Sequence, residues 1–453
     1  MSYGRGARVL SIGIAATGLF TFAYFSLASH LLSEVAAKRL DLLWSVMFVI
    51  ISVIYRPVEQ LLSRSIADRR ARGGSDRHCL RVPLVIQGGF TVAFLVAVLI
   101  LHRRVRDHVF DGSETLYAVL VVGVLAYAAS YFARGWLAGH QYFGLYGGLV
   151  LMESLSRFTF AVAVAVGVAS GQSAVALGIA AAPFVSLVVV PTAFARGRAR
   201  RAGAVEQSLA GEGATPEGVA GEGMPGAVDR DGSLSLRRGG GFAISVAGIM
   251  LAEQALLNGA VISVDAISPD RALAGIVFNV LLIARAPLQL FQSIQTSLLP
   301  HLAGLEATAG HAAFARAIRV TLMAVAAFAG AIALGLLVLG PPVMHQLFGQ
   351  HFSYGRGGLA LVGLGMGLHL ASGTLNQAAL ARGQARHAAG AWLASALVFV
   401  IWLVLPLVAN QLLRAELGYF GAAGVLALAL TVVYRRGGRP TGALGATAAA
   451  ISA

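Results

Sequence analysis

Twelve long runs of apolar residues constrain the fold of this chain more than any other feature of its sequence. They lie at about 9–29, 42–55, 82–101, 116–133, 144–168, 172–194, 242–264, 272–299, 318–340, 358–380, 388–409 and 417–434. We expect the second, which is short, to extend toward Leu62. A helix of about 20 apolar residues crosses the roughly 30 Å hydrocarbon core of a bilayer. Only 12% of the residues are charged, against about 25% in a soluble domain. The sequence therefore predicts an all-α integral membrane protein with about twelve transmembrane helices.

The distribution of basic residues predicts how the chain crosses the membrane. Of the 34 Lys and Arg residues, 24 lie on the side that holds both termini, eight lie on the other side, and Arg157 and Arg285 lie inside spans. Because Lys and Arg favour cytoplasmic loops, we expect cytoplasmic termini and a multi-pass location in the inner membrane of a bacterium. The basic residues behind the net charge of +14 thus orient the helices in the membrane. The sequence therefore predicts no nucleic-acid partner.

A polar segment divides the spans into two sets of six. Residues 195–241 are rich in Gly, Glu and Pro and lack periodic apolar residues, a composition typical of a flexible linker. We therefore predict an N-terminal six-helix bundle at 1–194, a flexible cytoplasmic linker at 195–241, and a C-terminal six-helix bundle at 242–453 that ends in a short cytoplasmic tail.

Two short sequence matches indicate that the halves are repeats. LAGHQYFGLY, from Leu137, resembles LARGQARHAAG, from Leu380, and RPVEQLL, from Arg56, resembles RAPLQLF, from Arg285. With six spans per half, the repeats have the same orientation and are related by an axis along the membrane normal.

Charged residues inside spans are the first candidates for function, since each costs about 2.5–3.5 kcal/mol on insertion scales and usually faces a bundle interior or a wet cavity. Glu153 and Arg157 are four residues apart and share a helix face, so they form either a cavity site or an internal salt bridge. Glu253 is either an ion site or a neutral acid hydrogen-bonded to a neighbouring helix.

Arg285 has no acidic residue within four positions and is followed by Pro287, which removes a backbone hydrogen bond. Its partner is expected on another helix, such as Glu153 or Glu253, or in an anionic ligand; the alternative is a kinked helix with a structural ion pair. His369 is expected to be a hydrogen-bonded packing residue. Asn258 and Asn376 are further polar positions within the spans.

Enzyme and metal signatures are absent from the sequence. There is no His-Glu-x-x-His, Walker A or Gly-x-Ser-x-Gly motif, and the single cysteine, Cys79, excludes an internal disulfide and a Cys-cluster metal site. We predict no catalytic residue, no metal ligand and no cofactor.

The spans and three motifs together resemble a known family. The motifs are RPVEQLLSRSIADRRARG after span two, ARGWLAGHQYFGLYG after span four and RAPLQLFQSIQTSLLPHL in span eight. They are similar to bacterial polysaccharide-biosynthesis flippases of the multidrug/oligosaccharidyl-lipid/polysaccharide exporter superfamily, and the resemblance covers nearly the whole chain. It implies two six-helix bundles around a central cavity that work by alternating access. The implied substrate is an oligosaccharide or polysaccharide precursor on a polyprenyl pyrophosphate, flipped from the inner to the outer leaflet.

The residues suit such a substrate, because Arg offers planar, bidentate donors for a pyrophosphate. Arg157 and Arg285 are therefore the candidate head-group ligands, with Asn258 and Asn376 as further substrate-binding candidates. Glu153 and Glu253 are the candidates for ion coupling. The expected partners are membrane lipid, the lipid-linked glycan, and glycosyltransferases or a polymerase of the same pathway.

Three alternatives remain open at this stage. A multidrug or organic-cation exporter shares the fold class. A lipid-linked peptidoglycan-precursor flippase is a closer relative but typically has 14 spans. A membrane glycosyltransferase or glycan polymerase needs acidic residues in an outside loop, and only the loop near 102–115 offers them, as Asp107, Asp111 and Glu114.

Overall fold

The computed structural model describes residues 3–72, 79–189, 191, 236–267, 288, 298–306, 310–348 and 355–436, and these contain helices and turns but no strand. The chain divides into two compact units, residues 1–243 and 244–453. In chain order the first part holds α1 (Tyr3–Leu31), α2 (Glu34–Ile54), α3 (Arg56–Ala71), α4 (Arg81–Ile100), the three-residue α5 (His102–Arg104), α6 (Glu114–Gly139), α7 (Phe143–Ala165) and α8 (Gly171–Ser186).

The second part follows the same pattern of long helices. It holds α9 (Leu236–Ile267), α10 (Gly310–Phe348), α11 (Arg356–Ala381), α12 (Ala385–Val404) and α13 (Gln411–Arg436). Residues 298–306 are also helical. The first eight residues of α9 belong to the first unit.

Nine helices of the described residues are long and apolar enough to cross a membrane. Each coincides with one of the twelve predicted spans. Predicted spans 9–29 and 172–194 correspond to α1 and to the 16-residue α8, which continues into a 3₁₀ turn at Leu187–Val189. The predicted span 272–299 lies almost entirely outside the described residues. The chain is thus a multi-pass, all-α membrane protein.

The second span extends past Leu62, as its sequence indicates. A single turn at Tyr55 separates α2 from α3, and Pro57 occupies the first turn of α3, where a missing backbone N–H costs no helical hydrogen bond. The backbone amides of Tyr55 and Glu59 donate to Ile51 and Tyr55 respectively, so the hydrogen-bond ladder runs across the break. The result is a 30-residue helical segment, Leu42–Ala71, that contains an apolar stretch long enough to cross a membrane.

Two helix hairpins, α6–α7 and α11–α12, are built on the same turn. At the first, the amides of Gln141 and Tyr142 donate to Ala138 and Leu137; at the second, the amides of Gly383 and Gln384 donate to Leu380 and Ala379. These are the two hydrogen bonds of a Schellman cap, whose central residue takes a left-handed conformation. Gln141 has φ +59° and Gly383 has φ +75°. Gln141 and Gly383 therefore occupy the same position in the two turns.

The helices that flank these turns share one register. Both α6 and α11 have 26 residues, and their starts at Glu114 and Arg356 differ by 242, as do the starts of α7 and α12 at Phe143 and Ala385. The sequence match from Leu137 and Leu380 has an offset of 243 and aligns Gln141 with Gln384. It therefore differs by one residue from the structural register, which aligns Gln141 with Gly383.

The crossing of α3 over α6 brings polar residues together in the first unit. A Cβ built on Gly135 would lie 2.9 Å from the Glu59 carbonyl oxygen, so only glycine permits this backbone approach. Around it lies an apolar core that includes Tyr24, Met47 and Val175. The close crossing places Glu59 beside the residue that precedes Gly135, Arg134.

Candidate functional site

A buried ion pair between α6 and α7 forms the centre of the candidate site. The Arg134 guanidinium donates to Glu153 Oε2, and the Ser130 hydroxyl donates to Glu153 Oε1. Ser186 Oγ of α8 lies 3.4 Å from the same oxygen. Arg134 also lies over the Tyr131 ring, with its guanidinium carbon 4.5 Å from the ring centroid. Glu153 is only 2% exposed, so its charge relies on these neighbours.

A second carboxylate, Glu59 of α3, lies in the same electrostatic cluster. It interacts with the charges of Arg134, Arg56 and Glu153. Its hydrogen bond within the described chain comes from an uncharged donor, the Tyr146 hydroxyl, at 2.7 Å. We call Glu59, Arg134, Glu153 and Tyr146 the carboxylate–arginine cluster. Of its two acids, Glu153 has a direct ion pair, with Arg134, whereas the part of the chain that the structure describes gives no such pair to Glu59.

Arg157 lies apart from this cluster on the same helix as Glu153. Its guanidinium donates to the Tyr127 hydroxyl at 2.8 Å and to Thr21 Oγ1 at 3.3 Å, and it lies 4.4 Å from the centroid of the Trp44 ring. Its buried Nε makes no hydrogen bond with any residue that the structure describes. Glu153 and Arg157 share a helix face, as predicted, but Glu153 pairs with Arg134. Arg157 therefore has polar and aromatic neighbours and no carboxylate in the described chain.

The second unit holds its own buried acid, Glu253 of α9. Glu253 Oε1 lies 3.8 Å from His369 Nε2 of α11, and the His369 ring lies against Trp392 and Tyr419. Both ring nitrogens of His369 are buried and make no hydrogen bond with the described residues. The aromatic contacts are those of a packing residue, whereas the predicted hydrogen bond of His369 is not made with any described residue.

The two asparagine candidates have different surroundings. The Trp392 indole donates to Asn376 Oδ1 at 3.2 Å, and Asn376 is buried. Asn258 is half-buried on α9 and its amide donates to the Gln254 carbonyl oxygen at 3.0 Å. Arg285, the other predicted head-group ligand, lies outside the described residues, as does its neighbour Pro287.

The hairpin register relates the polar residues of α6 and α7 to residues of α11 and α12. Arg134 corresponds to Asn376 and Glu153 to Ser395, while Tyr127 corresponds to His369. The ion pair of the first unit is thus replaced by uncharged residues in the second. Ser395 donates to the Ala422 carbonyl oxygen at 2.6 Å.

Sequence reasoning missed Arg134 and Glu59. The predicted span 116–133 ends just before Arg134, and Glu59 falls in the predicted extension of span two toward Leu62, where the sequence predicts no functional role for it. In the structure α6 continues to Gly139 and α3 begins at Arg56, so both side chains are inside helices and buried. The available signal is that Glu59 lies in the RPVEQLL repeat match and Arg134 in the ARGWLAGHQYFGLYG motif.

The acidic loop that would suit a glycan-processing enzyme is engaged in ion pairs. Asp111 pairs with Arg39, Asp107 with Arg106 at 2.7 Å, and Glu114 with Arg106 at 2.8 Å. Among the described residues no group of three His, Cys, Asp or Glu is placed to hold a metal ion.

Comparison with known proteins identifies the fold. No protein-family model matches the sequence, and no curated protein matches it. Solved structures do match. A MATE transporter in the bent conformation is 12% identical, with a TM-score of 0.73 over 96% of this chain and 94% of its own. The MATE transporter ClbM in complex with Rb⁺ is 15% identical, with a TM-score of 0.66 over 98% and 96%.

A third structure with this fold is a MOP superfamily transporter from Pyrococcus furiosus, described as having a binding pocket of reversed polarity that suggests a different function. It is 15% identical, with a TM-score of 0.69 over 96% of this chain and 95% of its own. These likenesses confirm the predicted fold class: an all-α integral membrane protein with the fold of MATE transporters, which have twelve transmembrane helices in two bundles.

Proposed function

We propose that the protein is a proton-coupled exporter of amphipathic molecules that works by alternating access. The support is a buried carboxylate–arginine cluster within a fold shared with MATE transporters. This fold favours the multidrug-exporter alternative over lipid-linked glycan flipping. A bacterial inner membrane, cytoplasmic termini, the linker at 195–241 and the bundles at 1–194 and 242–453 belong to the same proposal.

Glu59 is the proposed proton acceptor of the cluster. Glu153 is held in an ion pair by Arg134, whereas the hydrogen bond to Glu59 comes from the Tyr146 phenol. Protonating Glu59 breaks no direct ion pair with a described residue, and a buried carboxylic acid is stable when hydrogen-bonded. A hard cation needs several oxygen ligands, and guanidinium groups lie near Glu59 instead. Glu153 then fixes Arg134, and Glu253 is a second coupling candidate in the other unit.

Transport driven by a pH gradient tests this assignment. In proteoliposomes that hold a fluorescent amphipathic dye, Glu59→Gln is expected to abolish acceleration of dye movement by an imposed proton gradient. The matched control is Glu416→Gln, which removes a carboxylate buried to a similar degree in the second unit. Equal coupling in wild type and Glu59→Gln would refute the role of Glu59, and coupling to a sodium gradient alone would refute proton use.

A second candidate function is flipping of a polyprenyl-pyrophosphate glycan. One observation favours it: Arg157 is buried without a carboxylate partner in the described chain. Such a guanidinium suits an anionic cargo, and a neighbour with the same fold is described as having a pocket of reversed polarity. In this case Arg157, Arg285, Asn258 and Asn376 would bind the head group, and glycosyltransferases or a polymerase would be partners.

A deletion strain distinguishes the two candidates. Accumulation of lipid-linked sugar in the inner leaflet, with unchanged sensitivity to amphipathic cations, would select flipping. Unchanged lipid-linked sugar with increased sensitivity to amphipathic compounds would select drug export. Complementation by wild type, and its loss with Arg157→Ala at equal protein level, would link the phenotype to the candidate residue.

A further inference from the structure

One corner of the first unit carries converging arginines from three helices. Gly239, in the first turn of α9, packs on α4 and α3: a Cβ built on it would lie 2.7 Å from Val82 Cγ1 and 3.5 Å from Leu61 Cδ2. Arg237 and Arg238 are the two residues that precede Gly239, and Arg81 directly precedes Val82. The packing therefore brings together the helix ends that carry these three arginines.

A fourth arginine, Arg64, packs at the same corner. The Arg64 guanidinium of α3 lies over the Phe242 ring of α9, with its carbon 5.4 Å from the ring centroid. The carboxylate that the structure describes next to these helix ends, Asp68, pairs with Arg72 at 3.0 Å. Arg81 and Arg237 are exposed and make no ion pair with the described residues. Among the described residues, basic side chains therefore outnumber acidic ones at this corner.

Exposed aliphatic side chains continue from these arginines along α4. Leu84 is 58% exposed and Val85 is 51% exposed, directly after the arginine-bearing start of a membrane-spanning helix. Guanidinium groups at the end of an apolar, outward-facing surface match the two parts of a phospholipid, its anionic head group and its acyl chains. Charge bias explains why arginines occur on this side of the membrane, but it does not require three helices to bring them to one corner.

The opposite end of α4 differs in charge. There Arg106 pairs with Asp107 and Glu114, and Arg39 pairs with Asp111. Carboxylates therefore balance much of the basic charge. Two exposed arginines at that end, Arg103 and Arg104, provide a comparison on the same helix axis.

We propose that the corner formed by Arg64, Arg81, Arg237 and Arg238 is a binding site for an anionic phospholipid. Arg81 and Arg237 bind the phosphodiester through bidentate hydrogen bonds, and the acyl chains lie along Leu84 and Val85. The site is separate from the carboxylate–arginine cluster and does not depend on which substrate is transported.

Lipid titration of the purified full-length protein tests the site. Native mass spectrometry in detergent would count bound dioleoyl-phosphatidylglycerol, with dioleoyl-phosphatidylcholine as the zwitterionic probe. Each arginine near an anionic lipid is worth about 1 kcal/mol, or roughly fivefold. We therefore expect Arg81→Gln with Arg237→Gln to weaken phosphatidylglycerol binding about 30-fold.

The control is the double substitution Arg103→Gln and Arg104→Gln, which removes the same charge from the other end of α4. It is expected to leave the first-bound phosphatidylglycerol in place. Arg81→Lys with Arg237→Lys keeps the charge but loses the bidentate hydrogen bonds, so it is expected to weaken binding relative to wild type, but less than the Gln pair does. Equal losses in both Gln pairs, or equal binding of phosphatidylcholine, would show that the lipid follows overall charge and would overturn the proposal.

Discussion

Arg134 shows how one residue can hold a buried site together. It donates to Glu153, lies over Tyr131 and interacts with the charge of Glu59. A buried ion pair gains little over an apolar pair, but removal of one partner leaves an uncompensated charge. The cluster is therefore expected to be sensitive to single substitutions and tolerant of paired ones.

A double-mutant cycle checks this expectation. Arg134→Ala is expected to lower the free energy of unfolding by about 3–5 kcal/mol, because Glu153 loses its cation. Arg134→Ala combined with Glu153→Ala is expected to recover much of that loss, as measured by denaturant unfolding in detergent micelles. Asn376→Ala, at the equivalent position of α11, serves as the uncharged control. If the loss of unfolding free energy in the double mutant equalled the sum of the losses in Arg134→Ala and Glu153→Ala, the pairing would be contradicted.

Sequence identified Glu153 and Arg157 as buried but did not identify their partners. Both lie in the middle of an apolar run, where a charged residue stands out. Arg134 and Glu59 lie near the ends of runs, where a charge is ordinarily a loop residue. Burial there depends on the Gly135 crossing with α3, a tertiary contact that no property of either helix alone reveals.

At the scale of helices, the left-handed turn residues are the most informative elements. Gln141 and Gly383 occupy the same position of the same turn, but only glycine does so without a Cβ penalty. The α6–α7 turn therefore stores strain that the α11–α12 turn avoids.

Exchanging the two residue types measures this strain. Gln141→Gly is expected to raise the free energy of unfolding by about 1 kcal/mol, and Gly383→Ala is expected to lower it by a similar amount. Both effects are read from thermal unfolding in the same detergent. Effects of the same sign at the two positions would show that side-chain contacts rather than φ decide the outcome.

The positions of helices were largely predictable, whereas their ends were not. The apolar run 116–133 becomes α6 at Glu114–Gly139, because a helix continues through Arg134 once that charge has a buried partner. Hydropathy reports the average along a segment, while the end of a helix depends on its cap. The Schellman bonds at Ala138 and Leu137 end α6, six residues past the predicted limit.

At the scale of the molecule, orientation in the membrane is the prediction that a simple labelling experiment can decide. Cys79 is the single cysteine of the sequence and is buried. A Cys79→Ser variant therefore has no thiol, and any labelling comes from a cysteine that is introduced. Arg72 and Arg104 are exposed near opposite ends of α4.

In that background, Arg104→Cys is expected to react with a membrane-impermeant maleimide in intact cells. Arg72→Cys is expected to react only after the membrane is opened. The physical reason is the excess of basic residues on the side of the termini, which favours the cytoplasm. The reverse pattern would contradict cytoplasmic termini, and permeabilised cells control for reactivity at both positions.

The ion pair between Arg134 and Glu153 also has a consequence for the insertion of the protein into the membrane. Both charges lie on one hairpin, joined by the short turn at Gln141, so the pair can form as soon as α7 leaves the ribosome. Arg134 and Glu153 then enter the bilayer already paired, and α6 and α7 are expected to insert together, with Arg157 as the charge of α7 that this pair does not neutralise. Glu59 is synthesised much earlier and must wait for this hairpin, which makes α3 dependent on α6 and α7 for its final place.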